Sequence, residues 1–207
     1  MMKKIITVIA TAFMAISASA QSEVGSLSWQ PNMGITYTTA TSDLGEWADG
    51  AVALTAGVEA MYMLKDKLGI ALGVNYTAYD MKVKDLHMTR SNEYFNVPVT
   101  ANYYVAPGLA LKAGVALNLL FKANMNPLDG NPYYYSYSNS SIIYEIALEP
   151  KDDKDYYKST FFSIPVGASY EYKHFVFDAR YNIGLSKVAD VCKGTYNVFT
   201  FTLGYKF

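Results

Sequence analysis

Three short stretches of this chain hold residue types that could catalyse a reaction or bind a metal. The first, DLHMTRS, supplies Asp85, His87 and Ser91, the types of an orienting acid, a base and a nucleophile. Catalysis would require the base within hydrogen-bond reach of the nucleophile, and a third group that orients the base. The spacing does not ensure that geometry, so we expect no catalytic site here.

The other two stretches carry acids and a thiol. The segment EPKDDKD (Glu149–Asp155) is acidic, but a hard cation needs several oxygen ligands at defined spacing. Lys151 and Lys154 interrupt the run, and no glycine stands at the turn. Cys192 is the only cysteine, which excludes an internal disulfide. We interpret the acidic segment as a solvated loop and Cys192 as a strand-end or loop residue, and we predict no metal or cofactor site.

A further set of charged residues interrupts otherwise apolar segments. Charges in apolar surroundings are costly unless they are paired. The members of this set are Glu59, Lys112, Glu171, Asp178 and Arg180. Their role depends on the secondary-structure elements to which they belong.

The composition restricts the class of protein. The chain has 207 residues, enough for one domain of ordinary size, and its hydrophobic residues are dispersed among polar ones. Its 19 tyrosines suit strand surfaces and membrane interfaces, because the ring is apolar and the hydroxyl is polar. The net charge is near zero, so nothing indicates a nucleic-acid partner.

The first residues have the pattern of an export signal. Lys3 and Lys4 form a positive segment, Ile6–Ile16 is apolar, and Ala18-Ser19-Ala20 is a small-residue cleavage site. The residue directly after this site is Gln21 and not a cysteine, so we expect no lipid anchor. We predict a signal peptide over residues 1–20 and a mature domain over residues 21–207.

Alternation of apolar and polar residues with period two dominates the rest of the chain. In LGIALGVNY (68–76), the large apolar residues share one face, and the glycines, alanine and asparagine share the other. Eight such segments are long enough for tilted strands that cross a bilayer. The predicted strands are Trp29–Ala40, Ala51–Met63, Lys67–Tyr79, Glu93–Val105, Leu109–Lys122, Thr160–Tyr172, His174–Lys187 and Tyr196–Phe207.

The predicted connections alternate in length. The short ones lie around Leu64, Val105 and Lys173, and the long ones are Ser42–Gly50, Met81–Asn92, Ala123–Ser159 and Val188–Gly194. Short turns at one end and long loops at the other are typical of outer-membrane barrels. An even number of strands then puts both termini on the short-turn, periplasmic side.

The two strand faces decide between a soluble sandwich and a membrane barrel. One face carries Leu, Ile, Val, Phe and Tyr, and the other carries Gly, Ala, Thr, Asn, Gln and few charges. Small residues suit a narrow lumen, whereas soluble sheet surfaces tend to carry Lys and Glu. In lipid the backbone must be satisfied internally, which requires a closed barrel. We predict an all-β fold, an eight-stranded antiparallel transmembrane β-barrel in meander order, surrounded by lipid of the bacterial outer membrane.

Two stretches resemble a known family. EYFNVPVTANYYVAPGLALKAGVALNLLFKA (Glu93–Ala123) and the C-terminal YNIGLSKV…FTFTLGYKF are similar to the β-barrel domain of Bacteroidetes outer-membrane proteins, often labelled porin-like. The export signal, eight strands, long loops and terminal aromatic residue resemble small OmpA/OmpX-like barrels. Members end in an aromatic residue that the barrel assembly machinery reads. The resemblance therefore implies that machinery as a partner, with an assembly signal at Phe201, Leu203, Tyr205 and Phe207.

The same alternation places the charged set inside the barrel. Glu59, Lys112 and Arg180 lie at similar heights above the tight turns, as does Asp178. The interior of an eight-stranded barrel is just wide enough to be filled by side chains. We predict a buried polar network that joins Glu59, Asp178 and, as a further candidate, Glu171 to Lys112 and Arg180, closing the lumen and fixing the register. The alternative is a narrow polar pore or proton path.

The longest loop, about residues 123–159, contains GNPYYYSYSNSSIIYEIALEP. We predict a hairpin above the membrane with strands too short to span it; a ten-stranded barrel that includes the hairpin is the alternative. Tyrosine with serine and asparagine makes adaptable contact surfaces. Either the loop only extends and caps the barrel, or it contacts a glycan, a host protein or another envelope subunit through Tyr133, Tyr134, Tyr135 and Tyr137.

Some eight-stranded barrels are lipid A acyltransferases or deacylases that use His, Ser and an acid near the outer rim. Asp85, His87 and Ser91 depart from those motifs, and His174 falls at a periplasmic turn. We therefore predict a non-enzymatic structural and surface-interaction scaffold with a plugged lumen. A small pore or a transport or secretion accessory protein is the alternative, and a lipid A-modifying enzyme is the third.

Overall fold

The structure, a computed structural model, describes residues 23–41, 48–83, 88–127, 133–139, 142–148, 151–152, 158–187 and 194–207. No helix in these ranges has the length and hydropathy needed to cross a membrane. The strands are β1 (Leu27–Ala40), β2 (Ala48–Lys65), β3 (Leu68–Val83), β4 (Met88–Ala106), β5 (Leu109–Pro127), β6 (Tyr133–Asn139), β7 (Ile142–Leu148), β8 (Lys151–Asp152), β9 (Thr160–Tyr172), β10 (Phe175–Gly184) and β11 (Tyr196–Tyr205).

Eight of these strands close into an antiparallel barrel. Their order around the barrel is β1, β2, β3, β4, β5, β9, β10 and β11, and β11 pairs back onto β1. Strands that are neighbours in space also follow one another along the chain, except that three loop strands intervene between β5 and β9. The prediction of an all-β, eight-stranded meander is confirmed.

The two longer strands of the longest loop, β6 and β7, stay out of the barrel sheet. β6 and β7 form a two-stranded sheet of their own, with Tyr133 opposite Leu148 and Asn139 opposite Ile142. β8 adds a two-residue pairing to the end of β5. The ten-stranded alternative is therefore wrong.

Several strand ends differ from the predicted ones. β2, β4 and β5 run further towards the long loops than the alternation indicated. β10 begins at Phe175 because Lys173, at φ 56°, forms the tight turn. β10 ends at Gly184 rather than Lys187. Beyond it, Leu185 N donates to Phe162 O at 2.9 Å, and Phe162 N donates to Ser186 Oγ at 3.0 Å.

The barrel wall carries its large apolar side chains on the outside. Leu54 is 71% exposed and Leu72 is 51% exposed, whereas Asn118 and Thr36 on the inner face are fully buried. Contiguous apolar surface of this extent marks a surface that meets lipid or another apolar partner. The predicted assignment of apolar residues to the outer face agrees with this exposure.

Candidate functional site in the barrel lumen

Four charged side chains from three strands meet across the lumen. Lys112 Nζ donates to Glu59 Oε1 at 2.7 Å and to Asp178 Oδ2 at 2.8 Å. Arg180 Nη2 donates to Glu59 Oε2 at 2.5 Å, and its Nε donates to Asp178 Oδ1 at 2.6 Å. Cations and anions therefore alternate in a closed cycle of four residues, which we call the charged ring.

The backbone of the surrounding strands makes room for this ring. Asp178 and Arg180 are two residues apart on β10, so both point inward. Gly167 of β9 is the direct strand partner of Lys112 on one side and of Arg180 on the other. A Cβ atom at Gly167 would collide with the Ala179 carbonyl oxygen and lie 2.8 Å from Arg180 Cα. Glycine at this position thus permits close strand approach beneath the two long cations.

The ring is almost completely removed from solvent. The exposed fraction of the side chain is 1% for Asp178, 3% for Lys112, 4% for Glu59 and 10% for Arg180. Each ion has two partners of opposite sign, and the four charges sum to zero. Charge-assisted hydrogen bonds in such surroundings are short and strong, but each one depends on the presence of its partner.

Glu171 does not join the ring. Its Oε2 accepts a hydrogen bond from Lys206 Nζ at 2.7 Å. The register explains the separation: Glu171 lies opposite Val176, one inward position nearer the tight turns than Asp178. The structure thus brings together four of the five predicted charged residues and pairs the fifth with Lys206.

Small polar cavities lie on both sides of the ring. The one on the long-loop side has a volume of about 20 Å³ and is lined by asparagine and threonine side chains together with Arg180 and Tyr79. The one on the short-turn side has a volume of about 10 Å³ and includes Gln30 and Lys112. A volume of about 10–15 Å³ accommodates one water molecule. Each cavity therefore has room for only about one or two waters.

A buried layer of aromatic side chains lies next to the polar cavity on the long-loop side of the charged ring. Tyr79, Tyr94, Phe161 and Tyr196 are each at most 3% exposed. The ring centroids of Tyr79 and Tyr94 are 5.0 Å apart, and those of Tyr94 and Phe161 are 5.2 Å apart. Tyr79 Oη donates to Asn118 Oδ1 at 3.1 Å, and Tyr196 Oη accepts from Asn92 Nδ2 at 2.8 Å.

This aromatic layer departs from the prediction that the aromatic residues of the strands face lipid. The signal was present in the alternation. Tyr94 lies two residues before the inward Asn96, Tyr79 two residues after Thr77, and Phe161 two residues before Ser163. Parity along the strand therefore indicates an inward direction for all three.

The remaining predicted residues are placed as follows. Phe201, Leu203 and Tyr205 point outward, and Phe207 N donates to Trp29 O at 2.9 Å beside the seam between β1 and β11. Tyr133, Tyr134, Tyr135 and Tyr137 lie on β6, where the backbone alone is described. Of the candidate catalytic residues, Ser91 Oγ donates to Asp80 Oδ1 at 2.6 Å.

Other predictions fall outside the described residues: the signal peptide over residues 1–20, Asp85, His87, Cys192 and most of Glu149–Asp155. Within the described ranges, no group of three or more His, Cys, Asp or Glu residues could hold a metal ion.

Comparison with known proteins fits this geometry. The model of the family described as outer membrane protein beta-barrel domain matches residues 19–190. The chain belongs to this family. The protein is therefore an outer-membrane barrel of bacteria. Its attribution to the Bacteroidetes stays a prediction, and no curated protein sequence matches the chain.

Solved structures show the same fold for this outer-membrane barrel. Ail, the attachment invasion locus protein of Yersinia pestis, crystallised with the heparin analogue sucrose octasulfate, has 14% identity and a TM-score of 0.53. Neisserial surface protein A has 16% identity and a TM-score of 0.51. Each comparison covers 89% of this chain and 100% of the other chain. At this level of identity the likeness concerns the fold alone.

Proposed function

We propose that this outer-membrane barrel is a structural scaffold with a closed lumen, which presents its long loops as a contact surface outside the cell. The observation that carries the proposal is the charged ring. Its four members satisfy one another, so they leave no uncompensated charge to attract a permeating ion. Opposite charges at one height suit mutual pairing better than ion selectivity, which generally uses rings of one sign.

The aromatic layer supports a closed lumen independently of the ring. An eight-stranded barrel has an interior that side chains can fill. Here Tyr94 and Phe161 fill it at one height, and Lys112 with Arg180 fill it at another. A solute would have to displace both layers in series.

The loop end is the part of the molecule that we assign to partner contact. Ail, which shares the fold, has been crystallised with a heparin analogue, so this kind of barrel can bind a surface ligand. In this chain the β6–β7 hairpin stands apart from the barrel sheet and carries Tyr133, Tyr134, Tyr135 and Tyr137. Tyrosines with serine and asparagine provide rigid, amphipathic contact area. We propose a non-enzymatic contact with a surface glycan or an envelope protein.

The contact role is tested by replacing the β6–β7 hairpin with a short Gly-Ser linker. Binding of whole protein and hairpin-deleted protein to immobilised heparin and to a glycan array is compared. We expect the deletion to abolish any binding shown by the whole protein while heat-modifiable migration shows an intact barrel. Equal binding by both proteins would contradict the assignment of contact to this hairpin.

A further inference from the structure

The lipid-facing wall of the barrel contains a dent on strands β9 and β10. Ala168 and Ala179 are direct strand partners, and both lie on the outward face. Their neighbours in the same row are Leu111 on β5 and Phe201 on β11. Two small side chains therefore lie between two large ones, and the wall is recessed there.

The dent is part of a groove of about 500 Å³ that extends towards the short-turn end. Its walls include Met33, Leu109, Tyr170, Phe177, Phe201 and Leu203. Volumes of this size are typical of sites that take a small molecule, and such sites are mainly apolar with few polar groups. This groove is built on paired strands, so its shape exists before any occupant arrives.

A lysine and two tyrosines lie towards the short-turn end of the groove. Lys173 forms the tight turn between β9 and β10, and its Nζ lies 5.6 Å from the centroid of the Tyr172 ring. Tyr170 and Tyr172 point outward from β9 and are 49% and 57% exposed. Tyrosines gather where the hydrocarbon meets the headgroups, and a lysine there is a point charge for phosphate.

The position of the groove decides its occupant. The surrounding solvent is hydrocarbon, because the wall belongs to an outer-membrane barrel. An apolar recess in such a wall is filled by hydrocarbon, which gains dispersion contacts on several sides. The turn YKHF (Tyr172–Phe175) contains no acid of its own. Lys173 also borders the short-turn mouth of the lumen together with Asp66 and Glu171, and Glu171 is paired with Lys206. The cation therefore complements an anionic headgroup.

We propose that the groove is a phospholipid site, in which one acyl chain lies over Ala168 and Ala179 and the phosphate is bound by Lys173. The site combines a preformed recess on β9 and β10 with a lysine in the tight turn that joins these two strands. It goes beyond the scaffold role, since it gives the barrel a resident lipid in the leaflet at its short-turn end.

The test is native mass spectrometry of the full protein extracted from outer membranes, delipidated in mild detergent and titrated with dioleoyl phosphatidylethanolamine. Dioleoylglycerol, which has the same chains and no phosphate, is titrated in parallel. We expect one tightly retained phosphatidylethanolamine per barrel. The Ala168→Leu/Ala179→Leu variant, which fills the recess, should weaken its affinity about tenfold.

Two controls separate the acyl chain from the phosphate. Ala101→Leu/Ala113→Leu enlarges another directly paired pair of outward-facing alanines, on β4 and β5, and should retain phosphatidylethanolamine as the wild type does. Lys173→Gln should weaken phosphatidylethanolamine about tenfold and leave dioleoylglycerol unchanged, while Lys173→Arg should restore the phospholipid.

Three outcomes would overturn the proposal. The first is retention of phosphatidylethanolamine by the Ala168→Leu/Ala179→Leu variant at the wild-type level. The second is equal loss in the Ala101→Leu/Ala113→Leu control, which would mean that lipid binds the wall without a site. The third is conversion of a dimer to a monomer by the groove-filling variant, which would make the groove a contact between copies. Heat-modifiable migration of each variant shows that the barrel has folded.

Discussion

At the scale of single residues, the charged ring behaves as one unit. Each of its ions has two partners of opposite sign, and all four side chains are buried. Loss of one member leaves a net charge in surroundings that cannot solvate it. The loss of stability caused by a single substitution therefore includes the penalty for the unpaired buried ion as well as the energy of the contact removed.

Lys112→Met should destabilise the barrel by about 3–5 kcal/mol, because Glu59 and Asp178 then compete for Arg180. Adding Glu59→Gln should recover part of that loss, since a neutral Arg180–Asp178 pair remains. The free energy of unfolding in urea, measured in lipid vesicles for both singles and the double, gives the coupling. If the two single effects simply add, the residues do not form a coupled ring.

Gly167→Ala tests the backbone beneath the ring. The added Cβ would collide with the Ala179 carbonyl oxygen, so β9 and β10 must move apart, and we expect a loss of about 1–3 kcal/mol. Gly69→Ala is the matched control, because its Cβ would meet the flexible side chains of Met61 and Met63 at 3.1–3.2 Å. Urea unfolding of both variants should show the larger loss at Gly167; equal losses would contradict the close approach.

The sequence allowed the members of the ring to be predicted, but not every partner. Alternation fixes which side chains point inward, and distance from the tight turns fixes their approximate height. Which cation a carboxylate reaches also depends on the stagger between strands that are not adjacent in sequence. The distance of Glu171 from the tight turn already places it nearer that turn than Asp178. Its pairing with Lys206 depends in addition on the stagger, on which alternation contains no information.

At the scale of the strands, the alternation of apolar and polar residues predicted the part of each strand with an apolar outer face. It did not predict how far the strands continue towards the long loops. β2 starts at Ala48 and β4 at Met88, earlier than expected. Beyond the part with an apolar outer face the outward residues are polar, such as Asp49, Lys82 and Thr89, so both faces look alike in the sequence. Backbone pairing continues there without a hydrophobic period to reveal it.

The aromatic layer makes a separate contribution to stability. Phe161→Ala removes a ring that contacts Tyr79, Tyr94 and Tyr196 and should cost about 3–5 kcal/mol. Phe161→Leu keeps most of the volume and should cost less than about 1.5 kcal/mol. Urea unfolding in vesicles measures both. Similar costs for the two variants would mean that the layer is not tightly packed.

The β6–β7 hairpin should be dispensable for the barrel. Its strands pair with each other and not with the eight barrel strands. Replacing the hairpin with a short linker should leave the urea midpoint and the heat-modifiable migration unchanged, because no ladder of the barrel is cut. A fall in the urea midpoint would show that the hairpin packs on the barrel and supports it.

At the scale of the whole molecule, geometry is shared more widely than sequence. Ail and this chain have a TM-score of 0.53 at 14% identity. A transmembrane barrel needs a closed sheet, an apolar outer face and inward side chains whose size fits the lumen, and many sequences satisfy those conditions. This explains why fold and location follow from alternation and turn lengths, whereas the occupants of the groove and the partners of the loops depend on particular residues.

Single-channel recording in a planar bilayer shows whether the lumen of the barrel is closed. Protein purified from outer membranes, with heat-modifiable migration as proof of folding, should give no steady conductance, because the charged ring and the aromatic layer block the lumen in series. A steady wild-type conductance that shifts in Lys112→Ala or Arg180→Ala would show that the lumen is open and would make transport through it the function of this barrel.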